Sequence, residues 1–179
     1  MFEKKDDDEV KWDMRSFKLD LGEDCYVERS NESEDITIKK YEDGKPTRKC
    51  VLFPLRRWKE LEGIVDKIGS ALEEVKAGKD VSFEWHLGGN VYVTVCKKFP
   101  TVDIRHFWNP KGDGKVVATR KGVSLRYSQY RQLKAAIELL SVSVPELSEI
   151  EPCYMKNDHL NQMGYLLCEE CNPNGYGIW

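Results

Sequence analysis

The sequence predicts an α+β protein in which one unit, an antiparallel meander of short strands followed by a helix, occurs twice. Three observations carry this: the chain matches itself at a nearly constant offset, apolar residues alternate with polar ones over short segments, and each set of such segments leads into an apolar stripe of helical period.

At an offset of 66, Ser16-Phe17 falls on Ser82-Phe83, Leu21-Gly22 on Leu87-Gly88 and Tyr26-Val27 on Tyr92-Val93, with Ile36 and Ile38 on Val102 and Ile104. A six-residue insertion in the second copy then changes the offset to 72. In that frame Thr47-Arg48-Lys49 falls on Thr119-Arg120-Lys121, Val51 on Val123, Trp58 on Tyr130, Leu61 on Leu133, Val65 on Ile137 and Ile68 on Leu140. Strands come first in each copy. Tyr26-Val27, Ile36 with Ile38, and Val51 with Phe53 have the two-residue period of half-buried strands, as do Val91 to Val95, Val102 with Ile104, and Val123 with Leu125. Gly44-Lys45-Pro46 and Lys111-Gly112-Asp113-Gly114 mark turns between them. Pro54 suits a first helical turn, and Trp58, Leu61, Ile64, Val65, Ile68, Leu72 and Val75 line one face of the helix that follows. Tyr130, Leu133, Ile137 and Leu140 repeat that face. A unit of about 60 residues buries little surface alone, and the linker around Lys76 to Asp80 is short. The two units are therefore expected to pack together as an intramolecular pseudo-dimer.

Composition narrows the functional class. The chain of 179 residues is 40% hydrophobic and 33% charged, which fits globular domains and excludes collagen-like and low-complexity chains. No apolar run approaches the roughly 20 residues of a membrane-spanning helix. Asp6, Asp7, Asp8 and Glu9 stand where a secretory signal would be apolar. A soluble intracellular protein with reduced or metal-bound cysteines is expected. The net charge of −3 conceals blocks of opposite sign: residues 36–59 carry 8 basic against 2 acidic side chains and residues 97–134 carry 10 against 2, each flanked by acid. Such a chain can present a cationic groove while keeping a near-neutral total.

The second copy contains Val102-Asp103-Ile104-Arg105-His106-Phe107-Trp108, a Gly-rich turn, Thr119-Arg120-Lys121-Gly122-Val123-Ser124-Leu125, and Tyr130-Arg131-Gln132-Leu133-Lys134. Over residues 82–147 this order of motifs resembles the single-stranded-DNA-binding domain of the RNA polymerase II transcriptional coactivator family, positive cofactor four. Residues 16–75 resemble the same domain with departures: Arg48-Lys49 is kept, but Cys50 replaces the glycine, Phe53-Pro54 stands in the serine-leucine region, and Tyr41 has no tryptophan after it. The resemblance implies a curved four-stranded antiparallel sheet plus helix in each copy, with the duplication standing in for a homodimer. It further implies non-enzymatic binding of single-stranded or melted DNA in transcription or genome maintenance, and a nuclear location if the source is eukaryotic. Contacts with transcription proteins are a further implied partnership.

Binding single strands takes cations along the phosphates and flat side chains for the bases. Lys97, Lys98, Arg105, Lys115, Arg120 and Lys121 offer the cations, and Phe99 and Trp108 the stacking surfaces. Neighbours in a strand face opposite ways, and the family pattern puts Trp108 on the DNA side and Phe107 inward. In the first copy Lys39, Lys40, Arg48, Lys49, Arg56 and Arg57 surround Tyr41 in an equivalent position. One half of the pair can instead have become mainly structural.

The predicted organisation is a flexible acidic segment over 1–13, repeats over 14–78 and 79–147, and a Cys-containing extension over 148–179. The N-terminal segment reads either as a solubilising tail or as an anion competing for the groove. Cys153, His159, Cys168 and Cys171 have the spacing C-x5-H-x8-C-x2-C, whose last pair suits a structural zinc ion, although a reduced appendage fits the spacing too. Cys25, Cys50 and Cys96 are expected to be small core residues. No arrangement for catalysis stands out. Two alternatives to a DNA binder remain at this stage: an adaptor whose acidic segments hold components of the transcription machinery, and a binder that prefers RNA.

Overall fold

The computed structural model describes residues 15–175, so the acidic segment over 1–13 lies outside it. Two antiparallel sheets of four strands, each in simple meander order, are each followed by a helix. The first unit comprises β1 (Phe17–Gly22), β2 (Cys25–Arg29), β3 (Ile36–Glu42), β4 (Lys45–Phe53) and α1 (Leu55–Lys76). The second comprises β5 (Phe83–Gly88), β6 (Val91–Val95), β7 (Thr101–Trp108), β8 (Val117–Arg126) and α2 (Tyr127–Ser143). Two short helices, α3 (Pro145–Glu149) and α4 (Gln162–Leu166), and two 3-10 turns over Cys153–Met155 and Asn157–Leu160 complete the C-terminal extension.

Period-two alternation decides which face of each sheet is covered. Val27, Ile36, Ile38, Val51 and Phe53 are fully buried on one face, and Val91, Val93, Val102, Ile104 and Leu125 repeat this in the second unit. Both units carry the same irregularities at the repeat offsets. The first hairpin shifts register between Asp20 and Gly22, the other between His86 and Gly88. The third and fourth strands shift again between Lys39 and Tyr41 and between Arg105 and Phe107. Backbone with positive φ at Glu23, Asp24, Gly88, Gly89 and Asn90 turns the two first hairpins.

The helices join the halves. α1 packs against β5, β6 and β7 as well as its own β4, α2 packs against β1 as well as β7 and β8, and β4 runs beside β8. Polar contacts repeat across this interface. Gln129 at the start of α2 donates to the Gly22 carbonyl (2.9 Å), Arg126 pairs with Glu23 (2.8 Å), and Trp85 of β5 donates to Glu60 of α1 (3.0 Å). Lys67 lies over the Trp85 ring and Lys76 over the Tyr127 ring, whose hydroxyl bonds Glu73. Deepest is Tyr130, which takes the place of Trp58 in the second unit. It is buried, and its hydroxyl donates to the Val65 carbonyl of α1 at 2.7 Å.

That hydroxyl explains Gly69. A Cβ there would stand 2.6 Å from the Tyr130 oxygen, whereas one at Gly63, on the same helix, would meet nothing within 4 Å. Alanine is favoured over glycine in a helix interior by about 1 kcal/mol. Gly63→Ala is therefore expected to stabilise the protein by up to that amount and Gly69→Ala to destabilise it. Urea unfolding in a Tyr130→Phe background, where the obstructing oxygen is gone, should turn the Gly69→Ala effect stabilising.

Candidate nucleic-acid interface and thiol-imidazole cluster

The cationic feature of each sheet is a bulge written by the triplet Thr-Arg-Lys. The Thr119 hydroxyl donates to the His106 carbonyl (2.7 Å) and accepts from the Lys121 amide (3.2 Å), so the strand bows outward and leaves Arg120 and Lys121 exposed. Thr47 does the same to Lys40 (2.7 Å) and the Lys49 amide (3.2 Å), exposing Arg48 and Lys49. The glycine after the second triplet has a steric reason. Gly122 is buried beneath the Arg105 side chain, and a Cβ would stand 2.7 Å from its Cγ. The first unit has Cys50 at that position opposite Lys39 in the β3–β4 register, which occupies the place of Arg105.

On the uncovered face of the second sheet, Arg105 is held rigidly. Asp103 accepts from its Nε and one terminal nitrogen at 2.9 and 2.8 Å, the Thr119 carbonyl accepts from the other at 2.8 Å, and Ser124 donates to Asp103 at 2.6 Å. The Asp103 hydrogen bonds raise the Arg105 pKa further. Beside it, Tyr92 meets Phe107 edge to face with centroids 5.0 Å apart and stacks at a tilt on His86 at 4.8 Å. Phe107 is therefore not inward, contrary to expectation. β7 keeps its pleat, so Phe107 shares the face of Arg105 and Tyr92, away from the core formed by Val91 and Val93, and the extra residues of the register shift lie in β8 between Ala118 and Gly122.

Trp108, at the end of β7, is 60% exposed, and Phe99, in the loop before that strand, is 66% exposed. Lys97 forms a loose exposed pair with Asp80 (3.7 Å). Lys98, Lys115, Arg120 and Lys121 are exposed, and none of them forms an ion pair among the described residues.

In the first unit the corresponding face is closed on itself. The Tyr41 hydroxyl donates to both Glu28 oxygens (3.0 and 2.9 Å), and Lys39 pairs with the same carboxylate at 3.1 Å. Tyr26 and Tyr41 meet edge to face, with the Lys18 ammonium 4.4 and 4.2 Å from their centroids. Burial and then Glu28 push the Tyr41 hydroxyl pKa up. For Lys39, burial works against the charge, but Glu28 outweighs it and raises the pKa. Arg48 is exposed, and Lys49 pairs with Glu42 at 3.3 Å. Glu28 and Lys18 were not singled out from the sequence. Their signal was present, since both share the alternating face of Tyr26 and Tyr41.

Where β4 meets β8, the Leu52 amide donates to His106 Nε2 at 3.4 Å. Burial, with Arg57 and Lys121 nearby, lowers the His106 pKa to about 4. Lys121 also acts on Cys50 of the first unit, whose thiol is raised mainly by burial, so this cation stands at the seam between the halves.

The extension brings its four predicted ligands together. One ligand atom from each of Cys153, His159, Cys168 and Cys171 lies within 4.8 Å of every other. Cys153 Sγ is 3.4 Å from His159 Nε2 and 3.5 Å from Cys168 Sγ, and the Cys171 amide donates to Cys168 Sγ at 3.5 Å. The 3-10 turns close the loose Cys153 to His159 spacing. Asp158 accepts from His159 Nδ1 at 2.7 Å, which raises the imidazole pKa and directs Nε2 to the thiols. Burial opposes ionisation of Cys168, but hydrogen bonds from the Cys171 amide, His159 and Cys153 bring it down to about 7. Tetrahedral zinc is held by this kind of donor set.

The other cysteines divide. Cys25 is buried as expected, Cys50 is half-buried on the uncovered side of β4, and Cys96 is exposed just beyond β6. The Cys96 correction follows from alternation: Val91, Val93 and Val95 take the covered positions, so position 96 falls on the open side where β6 ends.

A second unit with a half-open antiparallel sheet, a cationic bulge and exposed rings has the attributes of a nucleic-acid-binding module. Residues 85–136, within the second unit, match the family model described as Transcriptional Coactivator p15 (PC4). No curated protein matches the chain. Among the described residues no helix is long and apolar enough to cross a membrane.

The seam histidine makes a pH prediction. His106 is held neutral as an acceptor, so its contribution is fully present above the ordinary value of 6.5 and is lost as pH falls from there towards about 4. Denaturation between pH 7 and 4 should show a decline in stability that His106→Gln makes shallower, and an NMR titration should put the imidazole midpoint near 4.

Proposed function

We propose that the second unit binds single-stranded or melted DNA without catalysis, as a coactivator-like or genome-maintenance protein that works in the nucleus if its source is eukaryotic and otherwise in the cytoplasm, and that the first unit is chiefly its structural partner. The observation that carries this is the contrast between the faces. Arg120 and Lys121 project from the β8 bulge with Trp108 and Phe99 exposed at the two ends of the neighbouring β7, in the unit with the family match. In the first unit Lys39 and Tyr41 are both engaged by Glu28. Lys97, Lys98 and Lys115 extend the cationic track at the strand ends, and Arg105 gives it a fixed edge. Arg48 and Lys49 take a subsidiary part beside Lys121. Two of the three histidines accept backbone amides and the third sits among thiols.

Stacking on an aromatic side chain contributes about 1–3 kcal/mol per base. Fluorescence anisotropy with an unstructured oligonucleotide should therefore show binding that weakens roughly 5- to 150-fold in Trp108→Ala. Arg120→Glu should weaken it and flatten the dependence on salt, by about 0.7 in log-log slope for each phosphate no longer neutralised. Tyr41→Phe should change it little. Absence of binding at low salt would favour the adaptor reading, in which the acidic segments hold basic components of the transcription machinery. Competition between DNA and RNA oligonucleotides of one sequence decides which polymer is preferred.

We also read Cys153, His159, Cys168 and Cys171 as ligands of one structural zinc ion. Elemental analysis of the reduced protein should give about one equivalent, and Cys171→Ser should lower the retained metal.

A further inference from the structure

We infer that metal binding at the C-terminal cluster is a latch: ligation by Cys168 and Cys171 sets the turn that aims Glu170 into the seam between the two units, where it completes the coordination of the buried Arg57. This rests on the zinc reading of the cluster.

Arg57 lies in the first turn of α1, with its side chain 9% exposed. Its Nε and one terminal nitrogen donate to the two Glu170 oxygens at 2.8 and 3.1 Å, and the other terminal nitrogen donates to the Leu52 carbonyl at 3.1 Å. Glu170 is the one carboxylate bonded to it among the described residues. A buried guanidinium left without its carboxylate is strongly unfavourable, and the planar fork matches this two-point contact.

The second unit is shaped to receive the same side chain. A Cβ on Gly88 would stand 2.2 Å from a Glu170 oxygen, and a Cβ on Gly89 would stand 2.2 Å from an Arg57 nitrogen. The Gly89 amide donates to the Glu170 carbonyl at 2.9 Å, and Asn90 and Asn174 exchange side-chain hydrogen bonds at 3.0 and 3.1 Å. Three parts of the chain thus converge on one carboxylate: the β4–α1 junction, the β5–β6 hairpin and the extension.

The extension has little else to order it. Neither of its 3-10 turns nor α4 contains a buried residue. Without an apolar core, a segment of this size is ordered by metal coordination, and the free energy of binding becomes free energy of folding. Metal occupancy is then coupled to how tightly the hairpin and α1 are held together.

The test uses the full reduced chain stripped with a chelator and titrated with Zn2+ alone, with wild type beside Glu170→Ala and, as a control, Glu169→Ala, whose exposed side chain has no partner among the described residues. Bound zinc, melting temperature and amide hydrogen exchange at Gly89 and Asn90 are measured together. All three proteins should bind one equivalent. Zinc should raise the melting temperature and slow exchange at Gly89 at least tenfold in wild type and Glu169→Ala, and Glu170→Ala should show little of either effect. Equal effects in Glu170→Ala, or none in wild type despite stoichiometric zinc, would overturn the latch and leave the zinc site standing. Failure of the wild type to bind zinc would overturn both.

Discussion

A four-stranded sheet with one apolar face must cover that face, and in this protein neither half does so by itself. α1 lies against the strands of the second sheet and α2 against the first strand of the first, so each unit completes the other's core. The buried hydrogen bond from Tyr130 to α1 and the contact of Gln129 with the Gly22 carbonyl show how closely the backbones approach there. Everything outward depends on this reciprocity. With the helices committed to the covered faces, the opposite faces are left for other chemistry, and the β4–β8 seam holds the two bulges next to each other.

Within that shared frame the two outer faces have separated in character. Both keep the pair of rings in edge-to-face contact and the threonine-tied bulge, which are matters of backbone and packing. They differ in where the charges fall. Glu28 sits among Lys39, Tyr41 and the neighbouring ammonium of Lys18, whereas the second sheet has Thr94 in that place, Glu84 in the place of Lys18, and Asp103 bound to Arg105 and Ser124.

Much of the fold was legible because its determinants are local or periodic. Alternation picked out Ile36, Ile38, Val102 and Ile104, the three-and-four spacing found the buried stripe of α1, and the offset of 66 and then 72 gave the duplication. The outward placement of Phe107 was itself legible, since alternation puts it two residues from Arg105 on the same face; the inward expectation came from the family pattern, which this strand does not follow. The mutual approach of Cys153, His159, Cys168 and Cys171 depends on consecutive 3-10 turns, which spacing rules do not encode. The pairing of Glu170 with Arg57, 113 residues apart, has no local signature.

The six residues from 77 to 82 that join α1 to β5 give the paired arrangement a property that separate subunits lack. Tethered halves face each other at an effective concentration in the millimolar range, so their association does not depend on how much protein a cell makes, and a half cannot be exchanged for that of a different chain. A substitution also strikes one groove only, where in a symmetric assembly of identical chains it would strike both at once. Fusion therefore frees either half to drift while its twin stays constrained.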